Sequence, residues 1–238
     1  MTVVAIHQPQ YLPWTPYCDK ADSCDVFVYL DNVQYQKNGL QNRNQIKTSQ
    51  GAAWLTVPVR ASLGQAINEI RIAGQHWQKK HIRAIEQSYA RAPAIARFTM
   101  PHDAGGLPVQ PLKTILEQSW DCLVDLNIAV TEWLFAQLGI QSQRVRASEL
   151  GVSGAREDLI VAICKTLGAT VYLSGQGAKA YQDAAKFRQQ GIELRYQRYH
   201  NRPYRQCYPG FVPDLSALDL ILNMGDEARA VMLAGRQP

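Results

Sequence analysis

The stretch Val3-Val4-Ala5-Ile6-His7-Gln8-Pro9-Gln10-Tyr11-Leu12-Pro13-Trp14 decides the fold. Its opening apolar run is the right length for one buried strand. The run stops abruptly in a loop that carries a histidine, two prolines and two aromatics. Such a loop is costly as mere packing, because it exposes polar groups and stiffens the backbone, so it reads as a site. Downstream, Thr15 to Ser23 can form a helix, and Val26-Phe27-Val28-Tyr29-Leu30-Asp31 is a second apolar strand that ends in an acid. Strand, loop, helix, strand is a parallel unit whose ligands bind beyond the carboxyl ends of the strands. His7 and Asp31 would share that edge.

Working outward, the same alternation continues. Helices are predicted over 76–90, 112–119, 123–138, 153–167 and 178–189 from apolar spacing and their stop and start signals. Strands are predicted over 54–59, 97–100, 144–147, 169–173 and 192–199, with a loop over 101–111 that contains Gly105-Gly106. The polar segment Val33 to Gly51 reads as an extended arm or hairpin over the first strand-helix edge. The expected architecture is α/β: a mostly parallel, Rossmann-like sheet of strand-helix units covered on both faces, with that arm inserted after the second strand. Residues 1–238 form one domain, or two intimate lobes over 1–100 and 101–238.

Composition narrows the chemistry. Five cysteines with no C-x-x-C spacing argue against a disulfide framework and a zinc knuckle, which points to a reducing cytoplasm. No cationic segment leads into a long apolar stretch, so neither a signal peptide nor a membrane span is expected. A formal charge of +5 favours phosphate-bearing ligands. With no polybasic run, a nucleotide or nucleotide-sugar is the expected partner and nucleic acid the less favoured one. The histidines have no short ligand spacing, so no transition-metal site is expected; Mg²⁺ carried on a nucleotide would need only one or two carboxylates such as Asp31.

His7 and Asp31 are the candidate catalytic residues, against the plainer reading of a hydrogen-bonded structural histidine. Gln8, Tyr11 and Trp14 would line the ligand. Arg43 and Lys47 in the polar arm could clamp phosphate oxygens, or be ordinary surface charges. Lys80 and His81 belong to a basic helical patch. Ser174-Gly175-Gln176-Gly177-Ala178-Lys179 follows a strand and enters a predicted helix, so Ser174, Gly175, Gly177 and Lys179 are candidates for an anion turn. No Walker A sequence and no Ser-centred elbow occurs.

The run HQPQYLPW, with Tyr17, Asp19-Lys20, Asp25-Val26-Phe27, Asn42-Arg43-Asn44 and Trp54 to Val59, resembles the WbqC-like family of bacterial proteins. The likeness continues through Lys80-His81, Tyr172 to Gly175, Tyr181 and Asp219-Leu220. It implies a role with surface-polysaccharide and O-antigen genes and modification of a sugar precursor. Two readings stand: a transferase of acyl, aminoacyl or nucleotidyl units, and a non-catalytic binder of a nucleotide-sugar or lipid-linked sugar.

Overall fold

The buried runs of the sequence become the strands of one parallel sheet in the computed structural model, which describes residues 1–104 and 107–237. In chain order the elements are β1 (Val3–His7), α1 (Thr15–Asp22), β2 (Val26–Tyr29), β3 (Arg43–Thr48), β4 (Gly51–Thr56), β5 (Val59–Arg60), β6 (Arg71–Ile72), α2 (His76–Ser88) and α3 (Ala96–Thr99). There follow β7 (His102–Ala104), β8 (Leu107–Val109), α4 (Leu112–Glu117), α5 (Leu123–Gln137), β9 (Gln143–Arg146), α6 (Glu157–Thr166), β10 (Val171–Ser174), α7 (Ala184–Gln189), β11 (Glu193–Tyr196), α8 (Ala217–Met224) and α9 (Ala228–Ala234).

The five-stranded sheet has the order β11-β10-β1-β2-β9, and every pairing in it is parallel. Parallel sheets need both faces covered, and the alternation of side chains divides the core accordingly. Ala5, Phe27 and Tyr29 face Tyr17 of α1, Phe135 of α5 and the α8 residues Leu218 and Ile221. Val4, Ile6, Val26 and Val28 face Leu159 and Ile163 of α6 and Phe187 of α7. This is the expected α/β, Rossmann-like arrangement. The order is also informative. From β1 the chain adds β2 and β9 on one side, then crosses to lay β10 and β11 on the other. The switch in direction falls between β1 and β10, which places the His7 loop beside the turn after Ser174.

Between β2 and β9 the chain builds three two-stranded antiparallel pairs, β3-β4, β5-β6 and β7-β8, together with α2 to α5. Residues 40–44 lie against the first loop: Tyr11 N donates to Leu40 O at 3.1 Å, and Asn44 Nδ2 donates to Leu12 O at 2.8 Å. Ile46 of β3 and Leu55 of β4 are buried in the same core as α2. Three local expectations fail. Residues 96–99 form a short helix instead of a strand, because Phe98 turns inward from a one-turn helix. Residues 102–104 and 107–109 pair as a hairpin in place of a loop; Gly105-Gly106 lies outside the described residues. Over 178–189 the helix is confined to Ala184–Gln189, capped by the Asp183 carboxylate, which accepts from Ala185 N at 2.8 Å. Among the described residues, no helix is long and apolar enough to cross a membrane.

The crossover helix α6 depends on one glycine. Gly154 has φ 154°, and a Cβ there would lie 2.9 Å from the backbone nitrogen of Leu159. Gly154→Ala should therefore lower the unfolding free energy by about 1–3 kcal/mol, combining an unfavourable φ with a backbone clash. Gly177→Ala, which meets nothing within 4 Å, is the control and should change it by less than about 0.5 kcal/mol. Urea unfolding of both variants checks this.

Candidate functional site

The first loop is held in a strained conformation by groups reaching it from elsewhere. Leu12 has φ 45°, a left-handed backbone that a branched side chain adopts at a cost, and it is fully buried. Three contacts fix it in addition to the Asn44 bond. Tyr11 Oη lies 2.9 Å from His81 Nδ1, Gln41 Nε2 donates to Gln8 Oε1 at 2.9 Å, and Trp14 bridges to Ser216 in front of α8. Burial lowers the His81 pKa to about 4, which keeps this imidazole neutral. Tyr11 and His81 thus anchor the loop to α2. Lys80, beside His81, is exposed on the solvent face of that helix.

The amino-terminal end of the loop is different. His7 is half-buried at the carboxyl end of β1, its ring 4.6 Å from that of Tyr17, and its Nδ1 lies 3.1 Å from Gln8 O. A nitrogen facing a carbonyl oxygen carries the proton, so Nε2 holds the free lone pair. Burial first, and then the nearby Lys20, push the His7 pKa well below its ordinary value, which keeps the imidazole neutral.

Lys20 is a candidate that the sequence reading did not single out as a site residue. It sits in the last turn of α1 and is only 3% exposed. Because α1 runs away from the carboxyl edge and helical side chains lean toward the helix N-terminus, Lys20 reaches back up to that edge. Its Nζ donates to Ile6 O at 3.2 Å. It lies 3.9 Å from where a Cβ on Gly175 would stand, so it joins the two sides of the switch point. Burial lowers its pKa to about 7. The signal was available: Lys20 stands three residues after Tyr17 and one before Ala21, on the apolar stripe of its helix, where a lysine is out of place.

The remaining candidates are placed as follows. Asp31 is fully buried beyond the end of β2; its Oδ1 accepts from Ser148 N at 2.9 Å and its Oδ2 from Ser148 Oγ at 2.7 Å. That geometry fits a brace between the ends of β2 and β9 more closely than a ligand for nucleotide-borne Mg²⁺. Arg43 donates to Asn38 O and stacks 4.5 Å over the Trp54 ring. Lys47 is buried, not a surface charge, and its ammonium is held by Gln206 Oε1 and by the carbonyls of Tyr208, Pro209 and Gly210. It pins the 206–210 loop. Ser174 is buried at the end of β10, and Gly175 follows beside Lys20. Gly177 and Lys179 are exposed. Because Gln176–Ala178 is a single 3-10 turn and α7 starts only at Ala184, the turn offers an anion no long-helix N-terminus of the kind expected from the sequence.

Two cavities flank the switch point. One of about 520 Å³ lies beyond β10 and β11, lined by Gln176, Arg198, Tyr199, His200 and Gln237. One of about 190 Å³ lies between the ends of β2 and β9 and α5, lined by Tyr29, Glu132, Arg146 and neighbours. Neither is lined by His7 or Lys20, so the chemical case rests on the side chains and not on cavity size.

The buried His81 gives the site a pH signature. Its folded pKa of about 4 lies below the unfolded value of 6.5, so the unfolded chain binds the extra proton between those values. The stability this group contributes is complete above pH 6.5 and is lost as pH falls toward 4, by about 3 kcal/mol. Urea midpoints measured from pH 7 to 4.5 should fall more steeply in the wild type than in His81→Gln.

The comparisons with known proteins follow this geometry. The chain matches the WbqC-like protein family over residues 8–231. It is 35% identical over 231 residues to uncharacterized protein Rv1507c of Mycobacterium tuberculosis (strain ATCC 25618 / H37Rv), a match that covers 96% of each chain. No solved structure matches it. With both matches running from the first loop almost to the end of α9, the chain belongs to the WbqC-like protein family.

Proposed function

We propose that this protein is a group-transfer enzyme that moves an acyl, aminoacyl or nucleotidyl unit onto a sugar precursor in bacterial surface-polysaccharide (O-antigen) biosynthesis. A nucleotide or nucleotide-sugar would sit at the switch point between β1 and β10. The polysaccharide setting comes from the family, whose members accompany O-antigen genes. The observation that carries the chemistry is His7: a neutral imidazole at a sheet carboxyl edge, with Nδ1 committed to Gln8 O and the Nε2 lone pair free.

Such a nitrogen can take the proton from an acceptor hydroxyl or amine as that group attacks the donor carbonyl or phosphorus. The acceptor oxygen or nitrogen forms the new bond, the donor's leaving group departs with the old bonding pair, and the proton rests on Nε2. The prolines and the strained Leu12 keep the imidazole in place, so little reorganisation is needed during reaction. Asp31 acts at one remove, holding the end of β2 through Ser148.

The assay incubates the purified protein with ATP or CTP, candidate acyl or aminoacyl donors and amino-sugar nucleotides, and follows product masses. His7→Ala should lower kcat by about 10²–10⁴-fold with little change in KM, as expected for a proton acceptor that acts in the transition state. Asp31→Asn should retain more activity than His7→Ala. Turnover that is unchanged in a folded His7→Ala variant would place the reaction elsewhere. Binding without any turnover, weakened by both substitutions, would identify a nucleotide-sugar or lipid-linked-sugar binder instead.

A further inference from the structure

A lysine ammonium has three donors, and Lys20, almost wholly buried, uses one of them, on Ile6 O. Among the described residues it makes no ion pair. The adjacent Asp19 is no counter-ion, because its Oδ1 is held by Arg236 at 2.5 Å and its Oδ2 by Gln197 at 2.7 Å. The titratable groups that face Lys20 are His7 from β1 and Cys24 beyond the end of its own helix. His7 is neutral, and burial pushes the Cys24 thiol up to about 12, so neither brings negative charge. From β10 comes only Gly175.

That glycine is not demanded by the backbone. Its φ of −79° and ψ of 152° suit any residue. A Cβ there would meet a single atom within 4 Å, Lys20 Nζ at 3.9 Å. With no side chain at Gly175, the space beside the amine is left unfilled on that side, at a half-buried turn by the topological switch point, where ligands of parallel sheets bind. A buried cation site without an anion is costly when charged, and an arriving anion removes that cost.

We propose that Lys20, reached across Gly175, is the counter-charge for a phosphate oxygen of a nucleotide or nucleotide-sugar, and that it takes up one proton from solvent as that phosphate docks. This deepens the functional reading above and rests on its phosphate-bearing ligand. No covalent bond changes: a neutral amine, a proton and an anionic oxygen become an ammonium hydrogen-bonded to phosphate. The depressed basicity of Lys20 agrees, since at pH 8 only about a tenth of a group with pKa near 7 is protonated, and pairing with phosphate restores the charged form. Affinity should then fall by up to about tenfold per pH unit above pH 7.

The test is calorimetric titration of the full chain with pyrophosphate, UDP and CTP, with uridine as the uncharged control, at pH 8 in HEPES and in Tris. Buffers of different ionisation heat reveal proton uptake, expected at about 0.9 proton per phosphate ligand bound and absent with uridine. Lys20→Met replaces a buried amine with an apolar side chain of similar length and should fold; it should bind at least about tenfold more weakly and without uptake. Gly175→Val keeps the amine but covers it, and should weaken binding comparably. A readout without ligand checks the same group. Its folded pKa is depressed, so between pH 7 and 9 the urea midpoint of the wild type should rise relative to that of Lys20→Met. Phosphate ligands that bind wild type, Lys20→Met and Gly175→Val equally and without proton uptake would overturn this inference and leave the transferase reading standing. A midpoint difference that stays flat with pH would show that Lys20 is already charged in the free protein and would overturn the uptake. If none of the probes binds the wild type, the phosphate reading of the site falls and this inference with it.

Discussion

The parallel pairing of β1 with β10, Val3 opposite Val171 through Ala5 opposite Leu173, brings distant parts of the chain together and sets the strand ends of the candidate site side by side. Without it, the loop after His7 would face only the strand that follows it. With it, the direction of strand addition reverses at β1, and the carboxyl ends of β1 and β10 stand side by side, the place where parallel sheets commonly bind ligands. The long segment between β2 and β9 packs against the loop that follows His7. Its residues 40–44 lace the loop through Leu40, Gln41 and Asn44, and α2 supplies the His81 bond to Tyr11. A loop that must hold Leu12 in a left-handed conformation needs such bracing, because the strain persists only where surrounding contacts over-determine it.

Two buried lysines show how the molecule separates structure from chemistry. Lys47 and Lys20 are equally hidden, at 2% and 3% exposure. Lys47 has oxygen acceptors on every side and fastens the 206–210 loop, near the network in which Tyr89, Tyr204 and Gln206 all donate to Asp219. Lys20 has one carbonyl and a neutral imidazole for company. A cation satisfied by its fold is a peg. An amine left with unfilled donors at the carboxyl edge of a parallel sheet is the one we propose meets a ligand.

The central sheet was legible because its strands are short apolar runs buried on both faces and set between helices with strong apolar stripes. β1, β2, β10 and β11, with α1, α2, α5 and α6, fall within a few residues of where those patterns put them. Spacing also placed His7 at the strand end. It was less informative where an element is only a turn or two long: residues 96–99 and 102–109 have no period to read, and their form is set by tertiary contacts. The helix expected from Ala178 starts at Ala184, since Asp183 supplies the cap and the preceding turn has none. For the site, residue type alone misjudged the cations. Lys47 reads as a solvated charge until the fold surrounds it with carbonyls, and Lys20 reads as a helix-end lysine until β10, 150 residues downstream, closes over it.

The most direct measurement is a crystal structure of the protein soaked with ATP, CTP and several nucleotide-sugars. The account predicts ligand density across the carboxyl ends of β1 and β10, with a phosphate over Gly175 in contact with Lys20 and a reacting group within hydrogen-bond reach of His7 Nε2. Density confined to the cavity beside Arg198 and His200, or to the one between Tyr29 and Glu132, with His7 and Lys20 untouched, would contradict it.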